Sequence, residues 1–409
     1  MKHLRRNPKA NMNILVLINI IIIGLYSCKS KKEVASNDRN TAEQSWMLSP
    51  IEKHDEIFPL LKSDTTSFFC PVTKTRVKWQ EYYVFNPAAI VRDNKVYMIF
   101  RAEDKIGQFG GTSRLGLAVS EDGLNFKKMP DPILYPDNDS LLIYEKDGGI
   151  EDPRITETED GTYILTYTAF NGKLARLCVA TSKDLVIWEK HGLAFGKAKA
   201  GIYANMWSKS GAIISKRFGD KIIATKINGK YWMYWGETDI YLATSDNLID
   251  WEPVLKEEKS GKIFKGYDKE TRNYDIHFDA PKLYFKTAVS IREGRFDSGL
   301  VEPGPTALIT EYGIFFIYNG SNSPENGDKA MVPYEYTVGQ VMFDSKDPSA
   351  IINRCDNYFL RSERNDETTG QMSYTMFVEA IIHFKGKWFI YYTTGEAKIG
   401  VATSENKID

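Results

Sequence analysis

The chain has 409 residues, enough for one large domain or two ordinary ones, and its formal net charge is −1 with acids and bases mixed along the length. That balance excludes the strongly basic face that nucleic-acid binding needs. Aromatic residues make up 13% of the chain, with 23 Tyr and 8 Trp, and their apolar bodies and polar tips suit β-structure or a sugar-binding cleft.

At the N-terminus, Lys2, Arg5, Arg6 and Lys9 precede an apolar run from Ile14 to Leu25, interrupted only by Asn19 and Gly24. A basic head, a short apolar core and a small residue before the cut describe a secretory signal, and the run is too short for a comfortable membrane span. The end of the run, Leu25-Tyr26-Ser27-Cys28, resembles a bacterial lipobox. That resemblance implies a lipoprotein-type signal peptide over residues 1–28 with lipidation at Cys28. It also implies residence at the bacterial cell envelope, on the periplasmic or surface face. The polar residues 29–50 are expected to form a flexible tether, so the lipid anchor would be the only membrane contact. Cys70, Cys178 and Cys355 remain, an odd and widely spaced set that argues against a disulfide framework or a zinc site.

Residues 51–409 are organised by repetition. The phrase RLGLAVSEDGLNF (114–126) returns as ARLCVATSKDLVIW (175–188) and DIYLATSDNLIDW (239–251), and more weakly as VGQVMFDSKDPSAI (338–351) and IGVATSENKID (399–409). An aromatic-rich strand precedes each copy, at 94–104, 161–170, 229–238, 312–321 and 386–396. Apolar strands stand upstream of these at 86–92, 151–157, 221–226, 302–309 and 378–384. The runs are short, β-branched or aromatic, and bounded by Gly, Asp and Asn, which excludes helices. Five copies of a multi-strand unit at roughly sixty residues are the signature of blades. The expected fold is therefore all-β, a single five-bladed β-propeller. The extra length in one unit, around 256–298, is expected to be a loop insertion.

In such a fold the mouths of the inner strands and the ends of the next strands line one central pocket. Asn86, Asp152, the 221–225 segment, Glu302 and Glu379 occupy the first position; Arg101, Asp104, Glu237, Asn319 and Glu396 occupy the second. One acidic residue at a strand end reads as a turn. Five carboxylates at matching positions, Asp152, Glu237, Glu302, Glu379 and Glu396, with Arg101 and Arg154, read as a site. Crowded carboxylates repel, so at least one should be held protonated and suit general acid work. Paired carboxylates among aromatics, with scattered His, no phosphate loop and no nucleophile elbow, point to glycoside chemistry without metal or cofactor. The loop residues Asn205 and Trp207 are candidates for sugar contact. Trp188 and Trp251 recur at one repeat position and read as packing residues, while Tyr83 and Tyr203 are further candidates for stacking.

Asn86-Pro87, the 101–104 segment, Glu151-Asp152-Pro153-Arg154, the Val-Ala-Thr-Ser phrases and Glu302-Pro303-Gly304-Pro305 resemble glycoside hydrolase family 130 over about residues 80 to 409. That family comprises β-mannoside phosphorylases and β-mannosidases. The resemblance implies Asp152 as the general acid, acting through a hydroxyl of the bound mannose. It implies Arg101, Asp104 and Glu396 as residues that hold the sugar, and inversion at the anomeric carbon.

The basic residues that bind phosphate in the family's phosphorylases fall at Thr225, at Gly236 or Glu237, near Leu300, and at Asn319. Neutral groups and the glutamates Glu237 and Glu302 would repel phosphate and could activate water instead, while Lys209 and Lys226 remain nearby as cations that keep phosphate binding open. The expectation is an exo-acting, inverting β-mannosidase favouring β-1,2-linked mannooligosaccharides. Phosphorolysis to mannose 1-phosphate, a different five-bladed glycosidase, and a non-catalytic glycan-binding lipoprotein stay open as alternatives.

Overall fold

A computed structural model describes residues 46–104, 111–256, 285–406 and 408, together with a strand pair at 267–268 and 273–274. The expected signal peptide with Cys28, residues 29–45 of the expected tether and most of the expected insertion lie outside the described residues. Residues 45–409 form one compact unit. The expected tether ends earlier than residue 50, because Trp46 and Leu48 are buried and the Leu48 amide donates to Gln340 Oε1 at 2.8 Å.

The described chain is nearly all β. Five antiparallel units follow one another. The first joins Tyr83–Arg92, Lys95–Glu103 and Ser113–Ser120, and the second joins Gly149–Glu157, Tyr163–Phe170 and Ala175–Ser182. The fourth joins Leu300–Pro303 and Ala307–Thr310 to Gly313–Ser321 and Tyr336–Phe343; the fifth joins Met376–Phe384, Lys387–Thr394 and Lys398–Ser404. Short outer strands complete them. For the last unit that strand comes from the other end of the chain, since Glu52 pairs with Thr403. Strands such as Gly313–Ser321 are buried at every position, so their sequences run apolar instead of alternating.

Five buried clusters lie between units. Ala88, Ile99 and Leu117 of the first unit meet Ile155, Leu165 and Cys178 of the second. The pattern continues unit by unit until Ala380, Tyr391 and Val401 of the fifth pack against Val84, Met98 and Phe100 of the first. The repeated Ser–acid turn explains itself locally. Ser120, Ser182 and Ser245 each accept the amide three residues on at 2.9 Å, closing the turn after the third strand. Trp188 and Trp251 each donate to the carbonyl three residues back at 3.1 Å, tying the same turn.

The third unit departs from the sequence expectation. Its innermost strand is Ala212–Phe218, whose Ala212 and Ile213 pair with Tyr234 and Met233. The expected inner strand, at 221–226, is instead the return arm of a hairpin, with Lys221–Ala224 paired back onto Phe218 to Ser215. Both arms are apolar, so periodicity alone chose the wrong one. The consequence is that Lys209 and Ser210, not residues 221–225, stand at this unit's inner mouth.

Candidate active site

Three innermost strands are bulged where they reach the centre. Register shifts fall between Phe85 and Pro87, between Glu151 and Arg154, and between Val378 and Ala380. The extra residues are Asn86, Asp152 with Pro153, and Glu379. A bulge re-aims a side chain that strict alternation would send elsewhere, at the cost of one ladder position. Asn86 and Asp152 adopt φ of 44° and 49°, the left-handed region that Asn and Asp tolerate best among side-chain-bearing residues. Ser210, before the third inner strand, has φ of 56°.

Asp152 is the hub. Its Oδ1 accepts from Asn86 Nδ2 at 2.7 Å and from Arg101 Nη1 at 2.9 Å, and its Oδ2 lies 3.5 Å from Lys209 Nζ. Burial pushes this carboxyl up, but Lys209, Arg101, Arg154 and the Asn86 hydrogen bond together hold it well below the usual carboxylate range. Arg101 is fully engaged. It donates to Ser113 Oγ, Asp152, Glu103 and Glu151 at 2.8–2.9 Å, and its guanidinium lies 4.6 Å from the centre of the Phe85 ring.

Arg154 points toward the fourth unit. It donates to the carbonyls of Gly304, Pro303 and its own neighbour Asp152, at 2.8–3.0 Å. Its Nη1 also stands 3.1 Å from Glu379 Oε1. Glu379 is buried and makes no hydrogen bond among the described residues, and its burial keeps the carboxyl protonated far above the ordinary value.

Opposite Asp152, Glu302 accepts from Ser210 Oγ and lies 3.7 Å from Lys209 Nζ. Glu237 accepts from Trp207 Nε1 at 2.9 Å and lies 3.8 Å from the same ammonium. Burial raises Glu302 to about 7, with Lys209 opposing and Glu237 adding. Glu151 and Glu396 are also raised to about 7, in each case mainly by burial and against the pull of Arg101. Lys209 itself, half-buried among Glu237, Glu302, Asp152 and Glu151, is held charged by them despite its desolvation.

The structure thus brings Asn86, Arg101, Asp152, Arg154, Glu237, Glu302, Glu379, Glu396 and Trp207 around one centre. Asp104 pairs with Arg114 and accepts the Thr112 amide, and Asn205 accepts from Arg176 at 3.0 Å. Tyr203 is buried edge-on against Phe285, which removes it as a stacking surface. Asn319 spends its amide on the backbone of Val378, and Thr225 caps Ile223 on the misassigned hairpin. Two members stand outside the set of site residues read from the sequence. Strict alternation would send Glu151 and Asp152 to opposite faces, and the bulge is what keeps both on Arg101. Lys209, which the sequence leaves near the pocket only as a residual cation, enters the site because this unit's innermost strand starts at Ala212 and not at residue 221. Among the described residues no group of three or more His, Cys, Asp or Glu is arranged to hold a metal ion.

A family profile described as beta-1,4-mannooligosaccharide phosphorylase, that of glycoside hydrolase family 130, matches residues 53–408. The chain belongs to this family. It is 28% identical to a 1,2-beta-oligomannan phosphorylase of Thermoanaerobacter sp. (strain X514) over 82% of this chain and 94% of that protein. It is 40% identical to a putative glycoside hydrolase from Parabacteroides distasonis ATCC 8503, with a TM-score of 0.82, over 90% of this chain and the whole of that one. A further solved structure, 39% identical with a TM-score of 0.80, covers 88% of this chain and 94% of its own. It is described with the words "The GH130 family of mannoside phosphorylases contains glycoside hydrolases that target beta-1,2 mannosidic linkages in Candida mannan".

Proposed function

We propose that this family 130 protein is an inverting β-mannosidase that releases mannose from β-1,2-linked mannooligosaccharides by hydrolysis. We read its five β-units as blades of one propeller and its Cys28 as the point of attachment to the cell envelope. The observation that carries the hydrolytic reading is the charge around Lys209. Glu237, Glu302 and Asp152 crowd one ammonium within 3.8 Å, while Arg101 and Arg154 are spent on carboxylates and carbonyls. A phosphate anion needs several free charge-assisted donors, and this pocket offers it carboxylates.

Glu302, titrating near neutrality, suits a general base. It takes a proton from water with help from Glu237. The oxygen of that water attacks the anomeric carbon from the face opposite the leaving group, and the glycosidic C–O bond breaks. The leaving oxygen receives its proton from a mannose hydroxyl, which Asp152 reprotonates. Lys209, Arg101 and Arg154 hold Asp152 ionised against its burial, and its neighbour Glu151 keeps a proton up to about 7. Both carboxyls share Arg101 and titrate as one coupled pair, so the proton that the acid step needs is held beside Asp152.

The second reading is phosphorolysis, favoured by Lys209, a half-buried cation at the centre, and by the activity named for the Thermoanaerobacter relative. A β-1,2-mannobiose digest with and without inorganic phosphate separates the two. Mannose alone, at a rate indifferent to phosphate, is the expected result; mannose 1-phosphate that appears only with phosphate overturns it.

A further inference from the structure

Two loops meet at the rim of the carboxylate pocket between the fourth and fifth units. The Tyr336 amide donates to the Tyr374 carbonyl at 2.9 Å and joins them. Each loop is also tied down on the pocket side. The Tyr334 amide donates to the Asn322 carbonyl at 2.8 Å, just past the Glu302-paired strand, and the Met372 amide donates to the carbonyl of Gly395 at 3.1 Å, beside Glu396. Tyr336, half-buried between them, faces Glu302 and Glu237; burial and those carboxylates push its phenol up.

The side chains displayed here are unusual for loop tips. Tyr334 is 66% exposed, Met372 44% and Tyr374 39%. Both tyrosines are held at positive φ, 63° and 56°, a conformation that bulky residues rarely adopt and that surrounding structure must impose. Three large, solvent-facing side chains on fixed backbone, in loops tied to the strand that pairs with Glu302 and to the turn before Glu396, make a ligand surface and not a scatter of exposed residues.

We infer that Tyr334, Tyr374 and Met372 form a platform for the sugar units of a bound β-linked oligosaccharide that lie beyond the unit held among the carboxylates. The inference rests on the mannoside reading of the pocket. A pyranose presents an apolar C–H face that packs on a tyrosine ring while its hydroxyls stay in water, so such a platform adds affinity by length of substrate and not by chemistry at the bond cleaved.

The test compares β-1,2-mannobiose with β-1,2-mannotetraose in the full chain. Tyr334→Asn and Tyr374→Asn remove the rings yet tolerate the left-handed backbone; Tyr334→Phe keeps the ring. Each Asn variant should lower kcat/KM for the tetraose about five- to tenfold, the worth of one aromatic contact, and lower it less than about twofold for the biose. Tyr334→Phe should match the wild type on both. Equal losses on the two substrates, or none, overturn the platform. Calorimetric titration of Asp152→Asn protein separates this from the hydrolytic reading. Tighter binding of tetraose than biose, abolished by adding Tyr334→Asn, upholds the platform even if the wild type cleaves nothing. Absence of binding to either mannoside overturns it together with the substrate class.

Discussion

Lys209 Nζ stands 3.7 Å from Glu302 Oε1, and the same ammonium reaches Asp152 at 3.5 Å. One cation therefore sets the charge state of the proposed base and of the proposed acid together. Removing it with Lys209→Met should raise both carboxyl pKa values, because the ammonium lowers each of them. The base must be ionised to work, so the acidic limb of the pH–rate profile should move to higher pH and activity at neutrality should fall. A pH profile of kcat/KM checks this, and a limb that stays in place or moves to lower pH refutes the coupling.

Asp152→Asn and Glu302→Gln each leave the volume of the side chain and remove one proton-transferring group. Each should cost about 10²–10⁴ in kcat on a β-mannoside, the worth of general acid–base catalysis, with the circular dichroism spectrum unchanged. Near-normal turnover in either variant removes that residue from its role.

Much of the strand order was legible because each unit carries its own turn chemistry. The Ser120, Ser182 and Ser245 turns can be recognised from four or five residues, and the strands before them follow. Bulges were not legible. The alternation that identifies a strand also predicts which side chains face in, and a bulge breaks that alternation at Asn86, Asp152 and Glu379, the positions that matter for chemistry. The third unit failed for a related reason. Ala212–Phe218 and Lys221–Ala224 form a hairpin of two apolar arms, and only tertiary pairing with Tyr231–Trp235 decides which is innermost. Glu302 and Glu237 were found because the particular strands they border were placed correctly; Lys209 precedes the one inner strand that was not, so the sequence set it near the pocket and not in it.

The raised glutamates also make stability depend on pH in a definite direction. Glu151, Glu302 and Glu396 keep their protons in the folded protein up to about 7. In the unfolded chain they release them near the ordinary glutamate value of about 4.3. Across that window the folded state binds more protons, so stability falls as pH rises. Asp152, with its depressed pKa, acts in the opposite sense but only below the ordinary aspartate value, outside this window. The melting temperature should be higher at about pH 5.5 than at about pH 8. Glu396→Gln should flatten the slope. Scanning fluorimetry across that range checks the sign, and a melting temperature that rises toward pH 8 contradicts it.

Asn319 holds the fifth unit's bulge from the fourth. Its Nδ2 donates to the Val378 carbonyl at 3.1 Å and its Oδ1 accepts the Val378 amide at 2.8 Å, both fully buried. Val378 precedes Glu379, and Glu379 stands against Arg154, which fixes the Asp152 backbone. A primary amide offers a donor and an acceptor on one flat group, which a carboxylate cannot do. Asn319→Ala leaves two buried backbone groups unpaired and should cost about 1–3 kcal/mol of stability. Asn319→Asp keeps the acceptor, loses the donor and brings a further carboxylate toward Glu379, so it should cost at least as much. Urea denaturation of the three proteins decides the matter. An Asp variant as stable as the wild type would mean that the donated bond to Val378 is not holding the bulge.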